Sequence, residues 1–594
     1  MVMKSLIEEK KIQAVVRLIE WERIFLHMDV EITYAADADK NSPLDFYIVD
    51  DMYDSPARMQ LIRHEGNRYH LRLNMTNSGE NVCVPSGNYR IYVCQNDVKM
   101  ADCEIDPKIV RDMGNCSRNF FYNNGKKVYA VNFYVEEGSD TLPLRMQILA
   151  ASQTVMQFPK TNHFRDKIHP IQDIKSTWLA KRNVLRKMYA GFVRLNRAKR
   201  NHTILFMTEQ NKVIASNLKA VSERMKERGL DNDYQILFSA REAAAGSQSI
   251  KSWIQLMEKL AKSGTVVLDD HAPCLDWLQL TSDTKVLQLW HAGAGFKSSG
   301  YSRWGHQGCP DAVSCHRQYN YGIAGSKNIA HFFSEVWGMN DELVLPTGMP
   351  RMDEYLNAGY RAKKTEELYK KYEFCKGKKV MLFAPTYRGR GKKTAMYPYD
   401  LIDFKGLYEA CGKDWVVLFK MHPWVADSVP IPEEYKDKFK DVGKYPNIND
   451  LFYITDLLIT DYSSNIFEYS LMKKPMMFFA FDKIQYAFSR GFHRPYEESA
   501  PGKVCSTFDE LLKAFREEDY EFEKVEEYVR YHFDHIDSNA SDRVIDWLIL
   551  GNIPKEIQEE ITRREKDNAH RKTLDFLPEG YRRNRELGIV EEVE

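Results

Sequence analysis

The sequence predicts an α/β protein in which two parallel sheets, each wound by helices, follow one another behind an antiparallel β-sandwich. Three observations carry this. Residues 1–160 hold short β-branched and aromatic runs broken by Gly, Pro, Asn and Asp signals. From residue 201 the rhythm changes to short apolar runs alternating with longer segments of helical spacing. The alternation then restarts after a charged stretch over about 357–379. A chain of 594 residues with 43% apolar side chains is long enough for several cores.

Taken in order, the first unit (1–160) has strand-like runs at Gln13 to Leu18, Arg23 to Met28, Asp45 to Val49, Tyr69 to Met75, Tyr89 to Val93, Val128 to Val135 and Leu144 to Leu149. Ser86-Gly87-Asn88 and Asn123-Asn124-Gly125 supply turns. This unit shows no catalytic constellation and reads as an accessory or recognition module. Residues 161–200 are expected to form a basic amphipathic linker helix. Between Trp178 and Arg200 there are eight Lys or Arg and no acid, with Trp178, Leu179, Leu185, Met188, Tyr189, Phe192 and Val193 at roughly helical intervals. Lys181, Arg182, Arg186, Lys187, Arg194 and Arg197 would face anionic lipid or a polyanionic acceptor, or the helix would simply pack between domains.

The first α/β unit (201–356) has strand candidates at Thr203 to Met207, Gln235 to Phe238, Thr265 to Leu268, Val286 to Trp290, Tyr321 to Ala324 and Leu343 to Leu345. Helical segments such as Val213 to Arg228 and Ser249 to Lys262 lie between them. The second unit (357–530) has strands at Val380 to Phe383, Val416 to Phe419, Leu457 to Ile459 and Met476 to Phe479. A charged helical tail (531–594) is expected to pack back across the first α/β unit. Tandem sheets of this kind place a ligand in the cleft between them, at the carboxyl ends of the strands.

Composition narrows the class. Formal charge is zero and the isoelectric point is near 7.2, which argues neither for nor against nucleic acid and makes any basic surface local; no nucleic-acid partner is expected from the motifs below. Ten cysteines lie scattered without metal-ligand spacing, which suits reduced thiols, and no protein-bound metal is expected. The amino-terminal MVMKSLIEEKKIQ has no apolar signal-like region, and no apolar run approaches the length of a membrane span.

The chemistry-bearing residues sit at strand ends. DLLITDYSSNIFEYSLMKKPMM, Asp456 to Met477, reads as strand, turn, helix. Ser463 or Ser464 is placed at the helix N-cap and Glu468 in the first helical turns, an arrangement whose free N–H groups suit a phosphate. VLQLWHAGAGFKSSG puts His291 directly after a strand, followed by Gly293, Gly295, Lys297, Ser298 and Gly300. Glycines there allow close backbone approach, and a histidine can take a proton from an attacking hydroxyl. LFAPTYRGRG places Pro385, Thr386, Arg388 and Arg390 after the first strand of the second unit, and VVLFKMHPWV does the same for Lys420 and His422. Such cations could neutralise a diphosphate leaving group.

WHAGAGFK, TGMPRMD (Thr347 to Asp353), FAPTYR, KMHP and ITDYSSNIFEYSLMKKP, in this order, resemble the CDP-glycerol glycerophosphotransferase family of teichoic acid polymerases and primases over roughly residues 200–530. The resemblance implies two Rossmann-like domains in a GT-B arrangement. It implies transfer of a polyol phosphate from a CDP-polyol donor to a hydroxyl of a lipid-linked chain, with release of CMP, by an enzyme peripheral to the cytoplasmic face of the membrane. His291 matches the family's base and His422 its second essential histidine. Ser463, Ser464 and Glu468 match residues around the donor phosphates, with Arg388 and Lys420 expected beside them. RGFHRPYEESAPG, from Arg490 and Gly491 to Gly502, resembles the nucleotide-side loop, to which Pro385 and Thr386 are added. Gly293, Gly295, Lys297 and Ser298 fall on the acceptor side. WHAGAGFK is closer to the ribitol-phosphate branch than the WHGTPLK of glycerol-phosphate enzymes. No tightly bound cofactor is expected, with Mg²⁺ allowed as a companion of the donor, and a homo-oligomer is left open. The alternatives are a GT-B glycosyltransferase using a nucleotide sugar and a non-catalytic protein binding envelope polymer.

Overall fold

The computed structural model describes residues 11–50, 56–109, 116–135, 142–152, 170–242, 248–389, 392–574, 576, 581–584 and 589–592. In the helix over 170–196 the side chains are described from residue 181. Arg390, one of the expected strand-end cations, lies outside the described residues.

The amino-terminal unit is an eleven-stranded sheet. Its pairings are antiparallel with one exception: Ile12–Glu22 runs parallel to Val98–Ile105, with Ala14 opposite Cys103. The expected wholly antiparallel pattern fails there because several strands separate the two in sequence, so no hairpin turn fixes their relative direction. Alternate side chains face one apolar core. That core is completed from outside the unit: Trp304 inserts against Phe120, ring centres 5.2 Å apart, and Tyr129, 4.8 Å. A segment beyond residue 300 thus closes a unit that the sequence delimits at 160.

The first parallel sheet has the order Gln235–Ala240, Thr203–Thr208, Thr265–Leu268, Lys285–Gln288, Tyr321–Ile323, Val344–Leu345. The second has the order Phe439–Asp441, Trp415–Phe419, Lys379–Phe383, Leu457–Thr460, Met476–Phe479, Lys503–Cys505. Its two edge strands are three residues each and give too short a pattern to be read in sequence. Each sheet reverses its winding direction beside its first strand, and that crevice is where ligands bind in such folds. The apolar core of the first unit continues without a break into the second, from Leu205 and Phe206 through Tyr355 to Leu382 and Leu458.

Elsewhere the elements refine the expectations. The charged stretch over 357–379 contains the helix Ala358–Lys371, capped by Asn357, whose side chain accepts from Tyr360 N–H. The boundary drawn at 530 falls inside the helix Glu523–His532. The following tail crosses the first α/β unit through Arg224 and Arg228 on Asp542, and Arg543 on the Thr347 carbonyl. Among the described residues no helix is long and apolar enough to cross a membrane.

Candidate active site

The carboxyl ends of the two sheets face each other. On the first, Lys285–Gln288 ends two residues earlier than the sequence pattern suggests, because Trp290 takes φ +52°. A bulky residue in the left-handed region costs on the order of 1–3 kcal/mol, so neighbours must hold it. Gln288 Oε1 accepts from Trp290 N–H at 2.9 Å, and buried Asn217 donates to the carbonyls of Leu289 and Trp290 at 2.9 and 2.8 Å. The reversal turns the next residue, His291, so that its Nδ1 lies 3.0 Å from Asp270 Oδ2, at the end of the neighbouring strand. Burial alone would raise the Asp270 pKa, but the hydrogen bond and charge of His291 outweigh it and hold the carboxyl below its usual range.

Arg351, from the TGMPRMD stretch, secures the other side of His291. Its Nη1 donates to the His291 carbonyl at 2.5 Å, and its Nε lies 3.1 Å from Glu468 Oε1. Glu468 is 3% exposed and spent on this ion pair. The structure therefore sets it between the units instead of at the edge of a phosphate site.

The glycines of this loop serve packing. A Cβ at Gly293 would lie 2.5 Å from Phe467 Cε1, and one at Gly295, φ +56°, would lie 3.1 Å from Phe332. Expected as places where backbone approaches an acceptor, they are instead where aromatic rings approach backbone. Lys297 and Ser298 follow. Ser298 N–H donates to the Gly491 carbonyl at 3.1 Å, and His493 N–H to the Phe296 carbonyl at 3.2 Å, so the loop pairs directly with Arg490–Gly502 of the second unit. Burial lowers the Lys297 amine to about 8, against the opposing pull of Asp461. Its charge, like that of Lys420, adds to burial in holding His422 below the ordinary imidazole pKa. These three side chains, from both units, share one electrostatic neighbourhood.

On the second sheet Asp461 organises the crevice. Its Oδ1 accepts from the N–H groups of Thr386 and Tyr462, at 2.7 and 2.5 Å. Its Oδ2 lies 2.9 Å from Arg388 Nη1. Asp482 takes the rest of the guanidinium, at 2.6 and 2.9 Å. Arg388, expected as a free phosphate ligand, is held by two carboxylates, while the buried Thr386 Oγ1 has no hydrogen-bond partner among the described residues. Pro385 is buried behind it. Lys420 donates to the Gly443 carbonyl at 2.8 Å. His422 Nδ1 accepts from Trp424 N–H at 3.2 Å, which leaves Nε2 for a ligand. The helix after the DYSS turn is only Ile466–Ser470, with Asn465 at its N-cap and no side-chain cap; Ser463 Oγ accepts from Asn465 N–H at 3.3 Å. A single turn supplies little dipole, and what the half-exposed Ser463 and Ser464 offer a ligand is hydroxyl and backbone N–H groups.

Three contributors went unassigned in sequence: Asp270, Arg351 and Asn217. Asp270 had a signal, an acid ending a strand in VVLDDHAP, but its adjacency to His291 needs the strand order. The fold also brings donor atoms of His271, Asp276 and Cys315 within 4.8 Å of one another, a set invisible in spacing. Asp276 Oδ1 is already satisfied by His271 Nε2 at 3.0 Å and Cys315 N–H at 2.9 Å.

The basic helix Pro170–Asn196 splits by face. Leu185 and Tyr189 are buried, half-buried Arg182 lies 5.6 Å from the Trp277 ring centre, and exposed Arg186 lies 5.9 Å from it and donates to the Trp277 carbonyl. Arg182, expected to face lipid, is turned toward the first α/β unit instead. Lys187, Arg194 and Arg197 are exposed and Lys181 is half-buried.

A histidine–carboxylate pair at the end of the first sheet and a cationic cluster shared by Lys297 of that unit with Lys420 and His422 of the second make up a candidate group-transfer site. Residues 188–550 match the family CDP-Glycerol:Poly(glycerophosphate) glycerophosphotransferase, and the chain belongs to that family. It is 37% identical over 367 residues to the teichoic acid ribitol-phosphate polymerase TarK of Staphylococcus aureus, covering 61% of this chain and 71% of that one. It is 32% identical over 499 residues to the teichoic acid poly(ribitol-phosphate) polymerase of Bacillus spizizenii, covering 81% and 77%. The solved structure of the wall teichoic acid polymerase TagF shares the fold, with a TM-score of 0.50 at 23% identity, covering 68% of this chain and 100% of that one.

Proposed function

We propose that this enzyme transfers a polyol phosphate, with ribitol phosphate preferred, from a CDP-polyol donor to a terminal hydroxyl of a lipid-linked teichoic-acid-type chain, releasing CMP. The two parallel-sheet units act as a GT-B-type pair behind a sandwich-like β unit. The observation that carries the reading is the His291–Asp270 pair at 3.0 Å, in the loop whose Lys297 acts on His422 together with Lys420 of the second unit. With Nδ1–H donated to Asp270, His291 Nε2 carries the lone pair and takes the acceptor hydroxyl's proton. The acceptor oxygen bonds the donor's β-phosphorus as the bridging P–O bond breaks in line, and CMP departs with that bond's electrons. Lys297, Lys420, His422 and the Ser463-Ser464 hydroxyls stabilise the charge on the transferring group and on CMP. Arg388 acts by fixing Asp461 and Asp482, and Glu468 by fixing Arg351 under His291. With Asp461 and Asp482 occupied, Mg²⁺ enters only as a companion of the donor phosphates, and no step is assigned to it.

Peripheral attachment to the cytoplasmic face of the membrane fits the outer face of the basic helix, where Val184 and Leu195 are 56% and 82% exposed beside Lys187 and Arg194. The test is CMP release with CDP-ribitol or CDP-glycerol and a lipid-linked acceptor, followed by mass analysis. Growth by ribitol-phosphate units is expected. Silence with both donors, or sugar transfer from a nucleotide sugar, overturns the reading.

A further inference from the structure

Between the amino-terminal β unit and the first α/β unit lies a cavity of about 1030 Å³. Ligand sites typically occupy roughly 300–1,000 Å³, so this is room for an extended ligand. Its floor is an interleaved set of rings and guanidiniums. Arg241 lies 3.9 Å over Trp253, Trp253 sits 5.6 Å from Trp277, and Arg182 covers Trp277. Arg241 is 7% exposed; Glu209 takes its Nε and Nη2, but its buried Nη1 has no hydrogen-bond partner among the described residues. The acids of the wall are already engaged. Glu209 also accepts from Cys274 N–H at 2.7 Å, Asp276 holds His271, and Asp311 is paired with Lys127 at 2.9 Å. What remains for a ligand is an unspent guanidinium donor, locked by a ring face, above apolar surface. The opposite rim is the exposed Asn123-Asn124-Gly125 turn of the β unit. The cavity reaches Trp290, the strained residue immediately before His291.

We propose that this cavity binds the growing acceptor chain, with Arg241 and Arg182 on backbone phosphates one or more repeats behind the reacting hydroxyl and with the half-buried Trp277 ring against the polyol carbons. The inference rests on the function proposed above, and it makes the β unit the far wall of the acceptor path. Arg241 Nη1 donates to a phosphate oxygen while Nε and Nη2 stay on Glu209, and an aromatic face accepts the C–H side of a polyol.

The experiment is steady-state kinetics of the full chain at saturating CDP-polyol, with acceptors of one repeat and of several repeats. Arg241→Gln should raise the acceptor KM roughly tenfold for the longer acceptor, the loss of one charge-assisted contact. The donor KM and the one-repeat acceptor should be unaffected, and Arg241→Lys should recover part of the loss. Should Arg241→Gln misfold, Asn124→Asp adds an anion on an exposed turn at φ +55° that Asp tolerates, and it should weaken the longer acceptor alone. Unchanged acceptor KM in folded Arg241→Gln and in Asn124→Asp, with wild type active, removes the acceptor path and leaves the function standing. A wild type that turns over neither donor removes the function and this ligand together.

Discussion

Replacing Asp270 with Asn tests the centre of the mechanism. The substitution keeps shape but removes the charge 3.0 Å from His291 Nδ1. Two unit charges about 4 Å apart interact by about 4 kcal/mol at an effective dielectric near 20. His291 is 53% and Asp270 25% exposed, so solvent screening cuts this to about 2 kcal/mol. That stabilisation exists chiefly once His291 has taken the proton, so the loss falls on the barrier, roughly thirtyfold in kcat. Because His291 holds the Asp270 carboxyl below its usual range, the carboxylate is fully charged at neutral pH and the effect is full-sized there. The assay is CMP release against donor concentration, alongside donor Kd by calorimetry. A loss under twofold in kcat, or an equal loss in donor affinity, refutes the reasoning.

Lys297, lowered to about 8 by burial, should lose its charge as pH rises through that value, so kcat/KM should fall above about pH 8; Lys297→Arg should remove this limb, and a limb that persists in the variant would assign it elsewhere. Glu468→Gln should lower kcat about tenfold by loosening Arg351 while leaving donor Kd unchanged, whereas a marked change in donor Kd would return Glu468 to the phosphate site. At the junction of the β unit with both α/β units, Arg23 holds the 2% exposed Glu335 at 2.6 Å, and His493 lies 3.3 Å from the same carboxylate. Burial opposes the Glu335 charge, but His493 and Arg23 together keep its pKa below the usual value. Arg23→Gln should cost about 3 kcal/mol at pH 7 through an under-compensated buried carboxylate. That deficit should shrink as pH falls through the carboxylate range and Glu335 takes up a proton, and thermal unfolding midpoints that drop equally at pH 7 and pH 5 would contradict the assignment.

Much of the fold was legible because it is local. Thr265 to Leu268 and Met476 to Phe479 were bounded as they stand, since a buried parallel strand is a short continuous apolar run between breakers. The strand-end residues His291, Lys420, His422 and the DYSS turn were legible for the same reason: a polar residue directly after such a run sits at the mouth of the sheet. Roles were not. Arg388 looks like a phosphate ligand in one dimension and proves to be held by Asp461 and Asp482, from segments some 70 to 95 positions away. Gly293 looks like room for substrate and is room for Phe467. The partners that hold His291, Asp270 across the strand order and Arg351 from the far edge of its unit, come together only when the sheet is wound. Sequence alone determined that His291, Lys420, His422 and the DYSS turn follow strands, because periodicity and strand ends are properties of neighbours along the chain. Tertiary structure decided which of them are free to act, because a charge is available only if no distant opposite charge has been folded against it.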